Sequence, residues 1–242
     1  MQSYGRKTDA ERNRLQPHLT EYYCTPRKQD AEFVACMEDV LEVYHRPLDA
    51  SRPMVCLDET SKQLISETRP GLPPRPGRIR RVDPEYRRNG TASAFLLTVP
   101  LEGQRHVRVR EHRKREDFAE VVRELCDVLY ARAQKIVLVM DQFHTHNIAS
   151  LYEAFEPAEA RRLAEKLEIH HTPKHGSWLN RAEIELSVLS RQCLSDSFET
   201  RQQLAKQITA WERPRNENKA GIDWRFTTAD ARIKLKRLYP TI

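Results

Sequence analysis

Apolar residues recur at three- and four-residue steps between positions 29 and 44, where Phe33, Val34, Met37, Val40 and Leu41 share one side of a predicted helix. The pattern changes at 52–60, RPMVCLDET, a short apolar run that reads as a strand ending on Asp58, with KQLISE available as its continuation. Residues 68–90 hold five prolines, three glycines and seven arginines, a composition that excludes a central strand or a helix interior and predicts an exposed, positively charged loop. Strand-like segments at 91–100 and 106–112, separated by LEGQR, predict a hairpin, the second alternating Val107 and Val109 with arginines. Helical spacing returns over 116–133 through Phe118, Val121, Val122, Leu125, Val128 and Leu129. KIVLVMD then has the continuous apolar character of a strand buried on both faces. Two short helices (148–155 and 157–167), a strand at EIHHTP, and helices over 180–194, 200–213 and 228–239 complete the pattern, which contains no internal repeat. Early antiparallel strands joined to later ones through helices predict an α/β protein built on a mixed sheet flanked by helices.

Composition adds limits. The 242 residues are 39% hydrophobic, enough for one large domain with an appendage. The pattern divides into a helical lead-in at 1–50, a central α/β domain at 51–200 and a helical extension at 201–242 packed on it. A formal charge of +6 and a pI of about 9.1 favour a polyanionic partner. The five cysteines are odd in number and free of any C-x-x-C pair, which argues against a disulfide framework or a zinc ribbon and fits a reducing cytoplasm. The first residues lack the apolar core of a signal peptide, and no run of about 18 apolar residues occurs, so no membrane partner is expected.

Three carboxylates carry the candidate chemistry. Asp58 and Asp141 end predicted strands, and Glu183 lies in the first turn of a helix that follows a third, positions where ligands and metals gather in open α/β sheets. Each has a structural alternative: a turn residue for Asp58, a strand-end cap for Asp141, and for Glu183 the reciprocal partner of Asn180 in a capping box. Counting alone leaves Glu59 and Glu185 open beside them.

Three segments in order, VCLDET, LVMDQFHTH and HHTPKHGSWLNRAEIELSVLSRQCL, resemble the DDE-type transposases of bacterial insertion sequences related to mariner elements. The third is the most specific, and the resemblance extends through EYRRNGTA, ASLYEAF and DWRFTTADARIKLKRLYP. It implies a ribonuclease H-like fold with Asp58, Asp141 and Glu183 as catalytic, metal-binding acids; helical periodicity does not choose between Glu183 and Glu185, and the motif does. It also implies cofactors, two Mg²⁺ ions with Mn²⁺ as an alternative, because two hard cations about 4 Å apart can activate the attacking oxygen and stabilise the leaving oxygen of a phosphodiester. The implied reaction is DNA cleavage at element ends followed by strand transfer into target DNA. The implied partner is double-stranded DNA, bound by a homodimer in a bacterial cytoplasm, at the nucleoid.

Two departures from the family pattern stand out. Gln142 occupies the place of an asparagine after the second aspartate, which bears on how Asp141 is supported. Asp141 and Glu183 are 42 positions apart (183 minus 141), longer than in compact mariner relatives, with the excess assigned to SLYEAFEPAEARRLAEKL. Residues 1–50 contain at most one persuasive helix and no helix-turn-helix pair, so such a module is expected from a separate region, the chain being a truncated copy, a second reading frame or a deliberately excised piece.

Other residues admit rival readings. His144, His146, His170, His171 and His175 could serve a zinc hydrolase. Within the resemblance, His146 instead contacts DNA or orients Asp141; His175, beside Lys174 and Gly176 ahead of the last motif helix, is placed to touch a phosphate or to serve as a loop histidine hydrogen-bonded to the backbone. Arg78, Arg80, Arg81, Arg87, Arg88, Arg108 and Arg110, with Arg105, Arg113, Lys114 and Arg115 nearby, form a candidate phosphate-backbone track. Trp178 is expected to pack against the sheet. A catalytically inactive DNA-binding remnant is the third functional class.

Overall fold

The computed structural model describes residues 25–241 apart from 70, 80, 82, 83 and 220. Five strands form one sheet: β1 (Met54–Glu67), β2 (Tyr86–Val99), β3 (Gln104–Arg110), β4 (Ile136–Met140) and β5 (Leu167–His171), in the order β3-β2-β1-β4-β5. β1–β2 and β2–β3 are antiparallel, whereas β4 joins β1, and β5 joins β4, in parallel. The mixed α/β sheet expected from the pattern is therefore present.

Helices cover both faces because strand side chains alternate between two apolar cores. On one face Met54, Cys56, Leu96, Val137 and Val139 pack with helices α1 (Ala31–Tyr44), α5 (Arg181–Gln192), α6 (Arg201–Glu217) and α7 (Thr228–Lys234). On the other, Val55, Leu57, Phe95, Leu138 and Met140 pack with α2 (Arg115–Glu124), α3 (Ala149–Ala154) and α4 (Pro157–Lys166). All five residues of β4 are buried, as the unbroken apolar run at 136–140 predicts. Side chains close the helix starts: the carboxylate of Asp30 accepts from the Phe33 amide, and Thr200 and Thr227 form capping boxes with Gln203 and Asp230.

The strand ends differ from the sequence expectation. β1 does not stop at Asp58 but runs on to Glu67, so Asp58 lies inside a strand. β2 begins at Tyr86, within the segment read as loop, because Tyr86, Arg87 and Arg88 pair with Glu67, Ser66 and Ile65 where the two strands outrun the rest of the sheet. There the β2 side chains are solvent-exposed, and arginines need no burial. The helix predicted over 116–133 stops at Glu124 and passes into a π-turn, Leu125–Leu129.

The free edge of β3 is closed by α6. Asn216 accepts from the Arg105 amide at 2.9 Å and donates to the Arg105 carbonyl at 2.8 Å, while Glu212 accepts from the Val107 amide at 3.0 Å. These side chains take the place of a further strand and leave fewer backbone groups open to edge pairing.

Candidate active site

Strand register brings the two aspartates together. Cys56 is paired with Val139 in the parallel β1–β4 ladder, so two residues further on Asp58 stands level with Asp141, immediately after the last residue of β4. Both belong to the alternation that carries Cys56 and Val139, and both face the side of the sheet covered by α5. Asp58 is placed by the point at which β1 outruns β4, with no strand end needed.

α5 delivers the third acid to the same face. Asn180 caps this helix by accepting from the Ala182 amide at 3.0 Å, and its Nδ2 donates to the Leu57 carbonyl at 3.1 Å and to Asp58 Oδ2 at 3.2 Å. One buried amide thus links the helix carrying Glu183 to the strand carrying Asp58. The preceding turn is held by Tyr44 of α1, whose hydroxyl donates to the Leu179 carbonyl at 2.6 Å. Glu183 does not complete a capping box; its carboxylate hydrogen-bonds Ser177 instead.

The electrostatics show the acids sensing one another. Burial, together with repulsion from Asp141, Glu59 and Glu183, pushes the Asp58 carboxyl up to about 7, against the backbone hydrogen bond from Glu59. Burial and the charge of Asp141 also raise Glu183. Asp141 moves the other way: burial would raise it, but the hydrogen bond and positive charge of His146 prevail and hold it below the usual range. Burial would lower His146, yet its contacts with Asp141 and Glu59 outweigh this and lift the imidazole to about 9. Four carboxylates thus share one imidazolium. Such an oxygen-only donor set, short of positive charge and partly desolvated, suits a hard divalent cation. Among the described residues no three His, Cys, Asp or Glu side chains already stand around a common metal position. Asp141 is held through Oδ1, which His146 Nδ1 and the Phe143 amide at 3.2 Å both contact.

The remaining candidates fall at different distances from this point. Gln142 is exposed and donates weakly to Cys36 Sγ at 3.7 Å, away from Asp141. It lines a cleft with Asp30, Glu32, Phe33, Pro173, Lys174 and His175, a cleft that none of the three acids lines. His175 adopts a left-handed backbone at φ 64°, a strained conformation for a residue with a Cβ. Arg78, Arg81, Arg87 and Arg88 are exposed on the long β1–β2 extension and its connecting segment, while Arg80 lies outside the described residues. Arg108 and Arg110 project from the face opposite Asp58 and engage Glu124, at 2.5 Å and 4.0 Å. Arg105 is buried against Glu185 and so takes no part in a surface track.

The histidines do not assemble a zinc set. His144 is exposed against Phe143, and His170 contacts Asp39 at 2.7 Å and Glu168 at 3.2 Å. His171 contacts the Asp141 carbonyl at 3.2 Å. Trp178 packs edge-on against Phe226, as expected of a packing residue. Sequence reasoning gave Asn180 only a capping role and left Glu59 as an unchosen neighbour of Asp58. Their orientation across the sheet depends on register, which motif spacing does not carry.

The Mos1 mariner paired-end complex with Mn matches with a TM-score of 0.51 at 12% identity, over 87% of this chain and 64% of that one. A Mos1 transposase paired-end complex with the left transposon end matches with a TM-score of 0.53 at 11% identity, over 87% and 66%. A pre-cleavage Mos1 transpososome matches with a TM-score of 0.51 at 12% identity, over 89% and 71%. At these identities the likeness shows the fold, which is ribonuclease H-like, and the chain spans just under two thirds of the length of the first two structures. No curated protein matches the sequence. The family model for the DDE superfamily endonucleases matches residues 53–205, more than half of the chain and the whole of the sheet with its three acids, and the chain belongs to that family.

Proposed function

We propose that this chain is the catalytic portion of a transposase that cleaves DNA phosphodiesters at element ends and transfers the freed strands into target DNA, with Asp58, Asp141 and Glu183 as its catalytic acids. The observation that carries the reading is the register-matched pair Asp58 and Asp141 beneath the helix bearing Glu183, where burial and mutual repulsion raise Asp58 and Glu183 while His146 holds Asp141 down. The three carboxylates would hold two Mg²⁺ or Mn²⁺ ions, which supply activation of the attacking oxygen and stabilisation of the leaving oxygen. The protein's own part is to desolvate the carboxylates and keep them in one place. Asn180 holds Asp58 against the start of α5, and Tyr44 anchors the turn before it.

Double-stranded DNA is the substrate in this reading. Arg78, Arg81, Arg87 and Arg88 on the extension, and Lys174 and His175 in the cleft that Gln142 lines, are its phosphate contacts; these position the duplex without reading its sequence. Arg108 and Arg110 serve more remotely, since Glu124 shares their charge. Two element ends require two active sites, so the working form is a homodimer on DNA, with end recognition supplied by a separate helix-turn-helix region. Among the described residues no helix is long and apolar enough to cross a membrane, in keeping with a bacterial cytoplasmic protein that acts on the nucleoid.

The test is nicking of a labelled element-end duplex in Mg²⁺ and in Mn²⁺ by the unmutated chain, Asp141→Asn and His144→Ala. The expected result is loss of cutting in Asp141→Asn alone, with duplex binding retained. Cutting by Asp141→Asn at the parental rate overturns the assignment. Equal damage from His144→Ala would favour a histidine-ligated site.

A further inference from the structure

Glu59 is next to a proposed metal ligand in sequence but on the opposite side of the sheet. Its neighbours in the alternation, Val55 and Leu57, belong to the core under α2, and its side chain is only 5% exposed. A carboxylate buried on an apolar face is costly without a partner. The partner is His146, 1% exposed, whose Nε2 lies 3.0 Å from Glu59 Oε2. That contact is off-line for a hydrogen bond, so charge and packing hold it. The other ring nitrogen, Nδ1, bonds Asp141 Oδ1. Two aromatic rings fix the imidazole plane: Phe118 at 5.1 Å, and Phe143 edge-on at 5.8 Å. The chain Glu59–His146–Asp141 therefore passes around the end of β4 and joins the two faces of the sheet.

We infer that Glu59 is a positioning residue, acting through His146 to set the orientation of the Asp141 carboxylate from behind. The inference rests on the proposed metal-dependent reading of the site. A ligand carboxylate free to rotate loses order each time a cation binds; one held through a single oxygen, as Asp141 is through Oδ1, leaves the other for the cation. The imidazole, locked by Glu59 on its far side, can hold Asp141 in only one way. Outer partners of this kind typically change metal affinity by about 10- to 100-fold. A structural ion pair would instead change the folded population and leave the affinity of the folded protein unaltered.

The experiment measures Mn²⁺ binding by calorimetry and by the electron paramagnetic resonance of free Mn²⁺. The variants are the unmutated chain, Glu59→Gln, His146→Ala, the double variant and Asp141→Asn, with thermal unfolding and duplex binding measured alongside. Glu59→Gln is expected to lose about 10- to 100-fold in Mn²⁺ affinity while unfolding cooperatively and binding duplex as its parent does. The double variant should lose no more than His146→Ala alone, because Glu59 acts only through the imidazole. Parental Mn²⁺ affinity in Glu59→Gln, or losses that add in the double variant, overturns the inference. If Glu59→Gln does not fold, ¹⁵N-histidine spectra of the unmutated chain decide: saturating Mg²⁺ should shift the His146 ring resonances and leave those of His144 in place, and unmoved His146 resonances overturn the inference. Should the unmutated chain bind Mn²⁺ no better than Asp141→Asn, the metal reading itself falls and takes the inference with it. Tight binding and cutting by the parent, with an unaffected Glu59→Gln, removes the inference alone.

Discussion

The two acids of one helix turn, Glu183 and Glu185, sit in opposite electrostatic surroundings. Glu185, 4% exposed, is clasped by Arg105 at 3.2 Å and by Arg215 of α6 at 3.0 Å, and Asn216 accepts from Arg105 at 3.3 Å. With Glu212 also facing Arg105, positive and negative charge balance there, and the cluster ties α5, α6 and β3 to one another. Glu183 meets Asp58 and Asp141, with one imidazole to serve them and Glu59. Both clusters contain carboxylates withdrawn from water; only the second lacks the charge to balance them. Burial alone would have marked Glu185 as the more unusual acid, whereas charge balance separates a clasp that holds the fold from the cluster we propose as the metal site.

The largest effect should come from breaking the unbalanced side. Asp141→Asn keeps the carboxylate's shape and removes a ligand charge, so Mg²⁺-dependent nicking should fall by orders of magnitude while urea denaturation shows a folded protein. The balanced side should respond in the opposite sense. Glu185→Ala strips the carboxylate from between two guanidiniums and should cost about 3–5 kcal/mol of unfolding free energy, the usual penalty for removing one partner of a buried pair. Mn²⁺ affinity of the protein that remains folded should be close to parental. If Glu185→Ala abolished Mn²⁺ binding in a folded protein, the division between clasp and site would be wrong.

The pH dependence sharpens the contrast at smaller amplitude. Asp58 binds its proton more readily in the folded chain, at about 7 against an ordinary 3.8, so its contribution to stability is present at low pH and is lost as pH rises through that window. His146, raised from 6.5 to about 9, contributes stability that is full below 6.5 and gone above 9. Both therefore weaken the metal-free chain toward alkaline pH, where the empty carboxylates repel. Saturating Mg²⁺ should raise the melting temperature clearly at about pH 8.5 and little at about pH 5; at a hundredfold excess over Kd the linkage is worth about 2.7 kcal/mol. Equal shifts at both pH values would show that the cation binds elsewhere. The smallest expected change concerns the extension. Replacing Arg87 and Arg88 together by Ala should lower the slope of log affinity for duplex against log salt by about two, with little effect on Mn²⁺ binding.

Much of this was readable along the chain. The apolar run at 136–140 is short and unbroken, as a buried strand is, and Asp141 directly after it lies at the C-terminal end of that strand. The three- and four-residue spacing of 29–44 and 180–194 located α1 and α5 to within two residues, because an amphipathic helix writes its period into the sequence. The arginine-rich start of β2 was not readable. A strand whose side chains face water has no apolar alternation to display, and Tyr86–Arg88 become strand only by pairing with Ile65–Glu67.

The sequence by itself determined the order of the acids, the alternation that gives each strand two faces, and the motif that prefers Glu183 to Glu185. Only the tertiary structure decided which acids are balanced. The register Cys56 to Val139 sets Asp58 level with Asp141, the packing of α6 brings Arg215 to Glu185, and the turn after β4 folds His146 back between Asp141 and Glu59. Each of these contacts joins residues that propensity and spacing treat as independent. The field at a carboxylate depends on the distance to every nearby charge, and those distances exist only once the strands are paired and the helices laid upon them.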